Sequence, residues 1–181
     1  MSTLEVNTIN PQSGSTITLG SSGNTVALGS GVSGSGFGKI GSFTSHSDHS
    51  QRTTTSNSLV DSGITEQSVT AINANAKFHI NLFANLRAQN GQMEATVFYK
   101  VGSGSYANFQ DVGGRNAFVN LYPNSGNNET VSCAGSFTKT LSNSAGDTIY
   151  FKIYLKSHTA NTVELVGDLS PTTIQIMEVL A

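Results

Sequence analysis

Apolar and polar residues alternate along much of the chain after residue 59, and the segment 149–156 shows the pattern most clearly. Its odd-numbered positions are Ile149, Phe151, Ile153 and Leu155, and its even-numbered positions are Tyr150, Lys152, Tyr154 and Lys156. Successive side chains of a β-strand point to opposite faces. The alternation therefore predicts a half-buried antiparallel strand with its apolar face in a core.

Further runs of this kind, separated by Gly, Asn and Ser turns, predict strands at 68–72, 77–86, 93–101, 106–112, 117–121, 130–141, 148–156, 162–166 and 172–180. Asn90-Gly91 predicts a hairpin, because both residues tolerate the positive φ of a type I′ turn. The run 172–180 is apolar on both faces, which predicts a central strand or one near a subunit interface. We expect an all-β fold in which residues 59–181 form an antiparallel β-sandwich, a jelly roll.

The first thirty residues contain a short repeat. Thr16-Ile17-Thr18-Leu19-Gly20-Ser21 recurs nine residues later as Thr25-Val26-Ala27-Leu28-Gly29-Ser30. Such a short ribbon is marginal alone in water. Ile17, Leu19, Val26 and Leu28 are therefore expected to pack against the same residues of other copies around a symmetry axis. A flexible polar tail is the alternative.

These patterns divide the chain into three expected parts. Residues 1–38 form a β-repeat anchor or shaft, 39–58 a polar Ser/Thr/His linker, and 59–181 the head domain. No segment has the pattern of a signal peptide or the ~20 apolar residues of a membrane helix. We expect synthesis in the host cytoplasm without membrane insertion.

Charge is scarce, with 9 Lys+Arg against 11 Asp+Glu and no basic cluster. This removes the electrostatic attraction on which most nucleic-acid binding depends, so nucleic acid is not expected as a partner. Cys133 is the only cysteine. Its strand context predicts a small buried residue rather than a reactive thiol.

Candidate chemistry is limited. Two G-x-G-x-x-G matches, at 29–34 and 36–41, lack the helix that a dinucleotide site needs, and we expect no cofactor. His46 and His49 are weak metal candidates, because copies of them near a symmetry axis would offer imidazoles; a solvated linker is the favoured interpretation. The acidic residues are scattered, so no enzyme is expected, although distant carboxylates could still meet in space.

Surface recognition remains as an expected activity. Predicted loops of the head present aromatic rings and amides, which suit sugars and other polar surfaces. The candidate binding residues are Tyr106, Asn108, Tyr122 and Asn124.

Four segments together resemble virion fibre proteins of tailed bacteriophages, especially marine ones. They are Ser2-Thr3-Leu4-Glu5-Val6-Asn7-Thr8-Ile9, the Thr-x-x-Leu-Gly-Ser repeats, Ser58-Leu59-Val60-Asp61-Ser62-Gly63-Ile64, and Ile174-Gln175-Ile176-Met177-Glu178-Val179. The resemblance implies a homotrimer on the virion surface, with an N-terminal shaft bound to other virion proteins and a C-terminal jelly-roll head.

The expected function is therefore that of a trimeric phage fibre or adhesin whose head contacts a host surface or glycan. Two alternatives stay open. One is a capsid decoration (cement) or head-fibre protein, since the chain is short for a main tail fibre. The other is a hydrolase of surface polysaccharide.

Overall fold

The computed structural model describes residues 40–89, 91–110, 117–122, 128–168 and 170–180. The repeats with Ile17, Leu19, Val26 and Leu28, and the loop residue Asn124, lie outside these ranges. The described residues belong to the second of the two units into which the chain divides, Gly38–Ala181.

Twelve β-strands and no helix make up the described part of the chain. They are β1 (Ile40–Asp48), β2 (Arg52–Thr54), β3 (Val60–Asp61), β4 (Gln67–Thr70), β5 (Lys77–Gln89), β6 (Met93–Val101), β7 (Ala107–Asn108), β8 (Val119–Leu121), β9 (Asn128–Thr140), β10 (Thr148–Ser157), β11 (Val163–Leu165) and β12 (Thr172–Val179). The predicted all-β class is confirmed.

The strands form two six-stranded antiparallel sheets. In sheet A the order is β1-β12-β5-β11-β2. The strand β9 also pairs with β5, on the edge opposite to β12 and β11. In sheet B the order is β3-β10-β6-β7, with β4 beside β10 and β8 beside β6. The predicted β-sandwich is therefore present.

The principal strands have jelly-roll order. They run β1-β12-β5-β9 in sheet A and β4-β10-β6-β8 in sheet B. Strands from the start of the chain thus lie beside strands from its end, and the chain crosses repeatedly between the sheets. This is the double Greek-key arrangement of jelly rolls.

The core lies between the sheets. As predicted, the odd-numbered residues of β10 from Ile149 to Leu155 are buried, while the intervening residues are half-buried on the outer face. Phe78 of β5 meets Phe151 of β10 edge to face, with ring centroids 5.7 Å apart. Each large apolar side chain buried in this way contributes roughly 1.5–3 kcal/mol to the hydrophobic driving force.

The prediction of a polar linker at 39–58 is wrong for residues 40–48 and 52–54. These two segments form β1 and β2, which are strands of sheet A. β1 pairs along most of its length with β12, and β2 pairs with β11. The segment contains few apolar residues, so it lacks the alternation of apolar and polar residues from which strands are predicted. A segment rich in Ser and Thr can form a strand when its backbone pairs with an apolar neighbouring strand, as β1 pairs with β12.

The expected hairpin at Asn90-Gly91 is also wrong, since β5 belongs to sheet A and β6 to sheet B. The segment is a crossing between the sheets. Asn90 lies outside the described residues, and Gly91 is buried. A Cβ at Gly91 would meet Oγ1 of Thr159, so a larger residue there would require the Thr159 side chain to rotate away.

The strand β12 is central, as its two apolar faces predicted. It lies between β1 and β5, and its buried Ile174 and Ile176 face the core. Gln175 and Met177 face outward from the same strand and are half-buried.

Candidate functional site

The outer face of sheet B combines aromatic and charged side chains. It is built mainly by two adjacent strands, β10 and β6. The outward residues pair across the strands as Tyr150 with Lys100, Lys152 with Phe98, Tyr154 with Thr96, and Lys156 with Glu94. The opposite faces of both strands supply the core.

Six of these outer-face and neighbouring residues form what we call the aromatic–lysine cluster: Phe98, Lys100, Tyr106, Tyr150, Lys152 and Tyr154. The Phe98 and Tyr154 rings are stacked, with centroids 4.1 Å apart and planes inclined by 23°. The Tyr106 ring lies 6.3 Å from that of Tyr154. These rings thus lie next to one another on the outer face of sheet B, where each is half-buried.

Two lysines lie among these rings. The Lys100 Nζ is 4.8 Å from the Tyr106 ring centroid and 4.7 Å from that of Tyr150. The Lys152 Nζ is 5.6 Å from the Tyr106 centroid. Cation–π attraction at such distances is worth about 0.5–1 kcal/mol at exposed sites. The two lysines therefore help to hold the rings in place.

Carboxylates complete the cluster. The Lys152 Nζ donates a hydrogen bond of 2.6 Å to Asp61, and Lys100 is paired with Glu66 at 3.6 Å. The hydrogen bond to Asp61 raises the pKa of Lys152. Burial raises the pKa of Tyr154, and the Asp61 charge acts in the same direction. Both shifts favour the protonated forms, so at neutral pH Lys152 is an ammonium donor and Tyr154 an uncharged phenol.

This combination suits a polar ligand with weakly apolar faces. Aromatic rings pack against the C–H faces of a sugar, while charged groups exchange hydrogen bonds with its hydroxyls. The rings of Phe98, Tyr150 and Tyr154 lie on strands, so the sheet fixes their positions, and Tyr106 directly precedes β7.

Of the three predicted binding residues that the structure describes, Tyr106, Asn108 and Tyr122, only Tyr106 lies in the cluster. The Oδ1 of Asn108 accepts hydrogen bonds from Thr96 Oγ1 at 3.2 Å and from the Gln110 N–H at 2.9 Å, so this side chain organises the end of β7. Tyr122 is 67% exposed after β8. Asn124 lies outside the described residues, so the loop site as a whole stays a prediction.

Sequence reasoning placed Tyr150, Lys152 and Tyr154 on an outward face but did not identify them as a site. The signal was the alternation of aromatic and basic residues at the even-numbered positions of β10. Phe98 and Lys100 join them only through the register of β6 against β10. That register depends on tertiary pairing.

The segment from His46 to His49 covers the end of β1 and the residue that follows it. His46 is half-buried on the core side of β1, opposite Ile174, and His49 is exposed beyond the strand. Between them, the Asp48 carboxylate accepts hydrogen bonds from Arg52 Nη2 and the Ser50 N–H, each 2.7 Å long. Within the described ranges, no three His, Cys, Asp or Glu side chains group together as metal ligands would.

Cys133 is half-buried on β9 and packs against the core. Burial raises the pKa of its thiol, which lowers the fraction of reactive thiolate at neutral pH. A cleft of about 260 Å³ adjoins it. The lining residues are Phe83, Ala84, Asn85, Ser132, Cys133, Ala134, Ser170 and Pro171.

No family model matches the chain, and no curated protein matches it. Among solved structures, it is similar to a chain of the crystal structure of the infectious bursal disease virus VP2 subviral particle. The two are 13% identical, with a TM-score of 0.23. The match covers 77% of this chain and 38% of the VP2 chain. The described residues also include no helix of the length and apolarity needed to cross a membrane.

Proposed function

We propose that the protein is a non-enzymatic virion structural protein, a trimeric bacteriophage fibre or adhesin. Its N-terminal repeats attach to other virion proteins, and its jelly-roll head binds glycans on the host surface through the aromatic–lysine cluster. The observation that carries the proposal is this half-buried cluster of rings and charges on the outer face of sheet B, in which the Phe98 and Tyr154 rings stack with centroids 4.1 Å apart.

The cluster accounts for modest affinity at a single site. Each sugar–ring contact adds on the order of 1 kcal/mol, so one head alone binds weakly. Three heads on each fibre, and many fibres on each particle, raise the effective affinity by factors of about 10² to 10⁴. Weak and reversible single contacts are therefore compatible with firm attachment of a virion.

Binding to immobilised host-surface polysaccharide tests the glycan site. Tyr154→Ala and Tyr150→Ala each remove one ring of the cluster, and we expect each to weaken binding about tenfold. Tyr122→Ala is the matched control, because Tyr122 is a more exposed tyrosine beyond β8. Thermal unfolding of all three variants checks that they fold.

Unchanged binding by both cluster variants, with normal melting, would count against the glycan site. A loss confined to Tyr122→Ala would return the site to the loops. Incubation with the same polysaccharide is expected to release no new reducing ends, and their release would contradict the non-enzymatic assignment.

Capsid decoration is the second candidate function. The outer face of sheet A exposes the large apolar side chains of Phe43 and Phe83, which favours contact with another protein. Antibody labelling of purified virions separates the two candidates. Label on the tail or on projecting fibres supports the adhesin, whereas label spread over the capsid shell supports decoration.

A further inference from the structure

The charged side chains of sheet B come in matched numbers. The strands themselves carry five of them, and a sixth, Glu66, directly precedes β4. Together they comprise three lysines and three carboxylates: Lys100, Lys152, Lys156, Asp61, Glu66 and Glu94. The formal charges of these six side chains therefore cancel.

The lysines and the carboxylates are also paired in space. The pairs, with their N–O distances, are Lys152–Asp61 at 2.6 Å, Lys100–Glu66 at 3.6 Å and Lys156–Glu94 at 3.7 Å. Partly exposed pairs of this kind contribute little to stability. Their separations are nevertheless well below the Debye length of about 8 Å at physiological ionic strength. A ligand therefore meets ion pairs rather than isolated positive charges.

Two further titratable groups flank the pairs, one at each end of β10. His158 directly follows the strand, and its Nε2 lies 3.0 Å from the Glu94 carboxylate. Asp147 directly precedes the strand and accepts a hydrogen bond of 2.7 Å from the Ser144 N–H. Among the described residues, the two ends of β10 thus add a carboxylate and a histidine that faces a carboxylate. Neither end offers an unpaired positive charge.

An acidic sugar gains little from such pairs. Its carboxylate, on approaching the ammonium of Lys152, also approaches the carboxylate of Asp61, whose side chain is 37% exposed and the most exposed of the six. Attraction and repulsion act over similar distances and offset each other. Like charges brought together at an interface oppose binding. The paired carboxylates therefore disfavour an anionic ligand.

A neutral sugar avoids this repulsion. Hydroxyl groups both donate and accept hydrogen bonds, so they can face an ammonium or a carboxylate without bringing a charge of their own. The C–H faces of the sugar pack against aromatic rings such as those of Phe98 and Tyr154. Both the ion pairs and the rings therefore suit an uncharged glycan.

We propose that the aromatic–lysine cluster selects neutral glycans over acidic ones, and that Asp61 and Glu66 set this preference. The inference rests on the proposed function, because it names the class of glycan that the same site binds. Neutralising these two carboxylates would leave Lys152 and Lys100 unpaired among the rings. The altered surface would then attract the anionic sugars that the natural surface disfavours.

A matched pair of ligands tests the preference on the unaltered full chain. Acidic polysaccharide from the host surface is immobilised before and after chemical reduction of its carboxyl groups to primary alcohols, which keeps the sugar backbone. We expect the reduced form to bind about tenfold more tightly. Its binding should change less than about twofold between about 20 and about 500 mM NaCl, because salt screens only interactions between charges.

Asp61→Asn with Glu66→Gln should reverse the preference. We expect the affinity for the acidic form, relative to the reduced form, to rise about tenfold and to lose this gain at about 500 mM NaCl. Glu129→Gln with Asp168→Asn is the matched control, since it changes the net charge equally at positions outside sheet B. The control should leave the ratio of the two affinities unchanged, and thermal unfolding checks that both double variants fold.

Two results would overturn the proposal. One is binding of the unaltered protein to the acidic form as tightly as to the reduced form, or more tightly. The other is an equal change of the affinity ratio in both double variants, which would assign the effect to overall charge. Either result leaves the glycan site standing if Tyr154→Ala and Tyr150→Ala still weaken binding, whereas binding to neither form would contradict the glycan site as well.

Discussion

Glu178 shows how a single residue fixes a loop to the sandwich. Its fully buried carboxylate accepts hydrogen bonds from the Ile72 N–H, at 2.8 and 3.0 Å, and from the Asn73 N–H at 3.0 Å. These bonds join the connection between β4 and β5 to β12. A buried carboxylate is stable only when hydrogen-bonded in this way.

Glu178→Gln should therefore destabilise the head. The amide keeps one acceptor oxygen but turns an NH₂ group toward backbone donors, and we expect the free energy of unfolding to fall by about 2 kcal/mol. Urea unfolding measures this change. Glu129→Gln, at a half-buried position of β9, is the control and should change the midpoint little; equal midpoints for both variants would contradict the role of Glu178.

Asp48 gives the head a specific dependence on pH. Burial of Asp48 opposes its ionisation, but hydrogen bonds from Arg52 and Ser50 outweigh it and lower its pKa below the usual 3.8. Since the folded-state pKa is depressed, the stabilisation is present above the unfolded pKa and is lost as pH falls through the folded value.

Asp48→Asn should flatten this dependence. We expect the melting temperature of the wild type to fall more steeply than that of the variant as the pH drops from about 5 to about 2. Thermal scans at a series of pH values measure both slopes. Parallel curves would show that Asp48 does not contribute to the acid response.

Neither residue could be assigned its role from the sequence. Glu178 stood in an apolar run that predicted a strand, yet its partners at Ile72 and Asn73 are distant in the chain. Asp48 was grouped with His46 and His49, whereas its partner is Arg52, one strand further on. Side-chain pairing depends on which segments the fold brings together.

At the scale of elements, Gly135 permits two strands to cross closely. It lies within β9, and a Cβ there would overlap the carbonyl oxygen of Phe118, next to β8. Gly135→Ala should push these segments apart and lower the free energy of unfolding by about 1–3 kcal/mol.

Hydrogen exchange at β8 and β9, together with urea unfolding, measures this effect. Ser136→Ala is the neighbouring control, since Ser136 faces outward. If Gly135→Ala matched Ser136→Ala in both measurements, the close approach would have no energetic role.

Strands with strong alternation were predictable. β6 occupies Met93–Val101 as the sequence predicted, because its core side is apolar at each alternate position from Met93. β1 was missed, since its Ser and Thr residues pair with β12 rather than filling the core themselves. The Asn90-Gly91 signal was read as a turn, but the two flanking strands belong to different sheets.

For the whole molecule, we expect the full chain in solution to have about three times its 18.9 kDa mass. Multi-angle light scattering measures this mass directly. A monomer at micromolar concentration would contradict the proposed trimer.

Deletion of residues 1–38 should leave a folded head that no longer attaches to virions. Within the described ranges, the buried apolar residues run from Ile64 to Ile176, and all of them belong to the head. Cooperative thermal unfolding of the deleted protein checks the fold, and incorporation into particles checks attachment. Normal incorporation would remove the anchor role from the N-terminal segment.

The sequence by itself determined the all-β class, the half-buried character of β10 and the central position of β12, because alternation and apolar content are local properties of a strand. Only the tertiary structure decided that β1 completes sheet A and that sheet B carries the aromatic–lysine cluster. Sheet order and register bring residues far apart in the chain side by side. Long-range pairing of this kind leaves no local periodicity to detect.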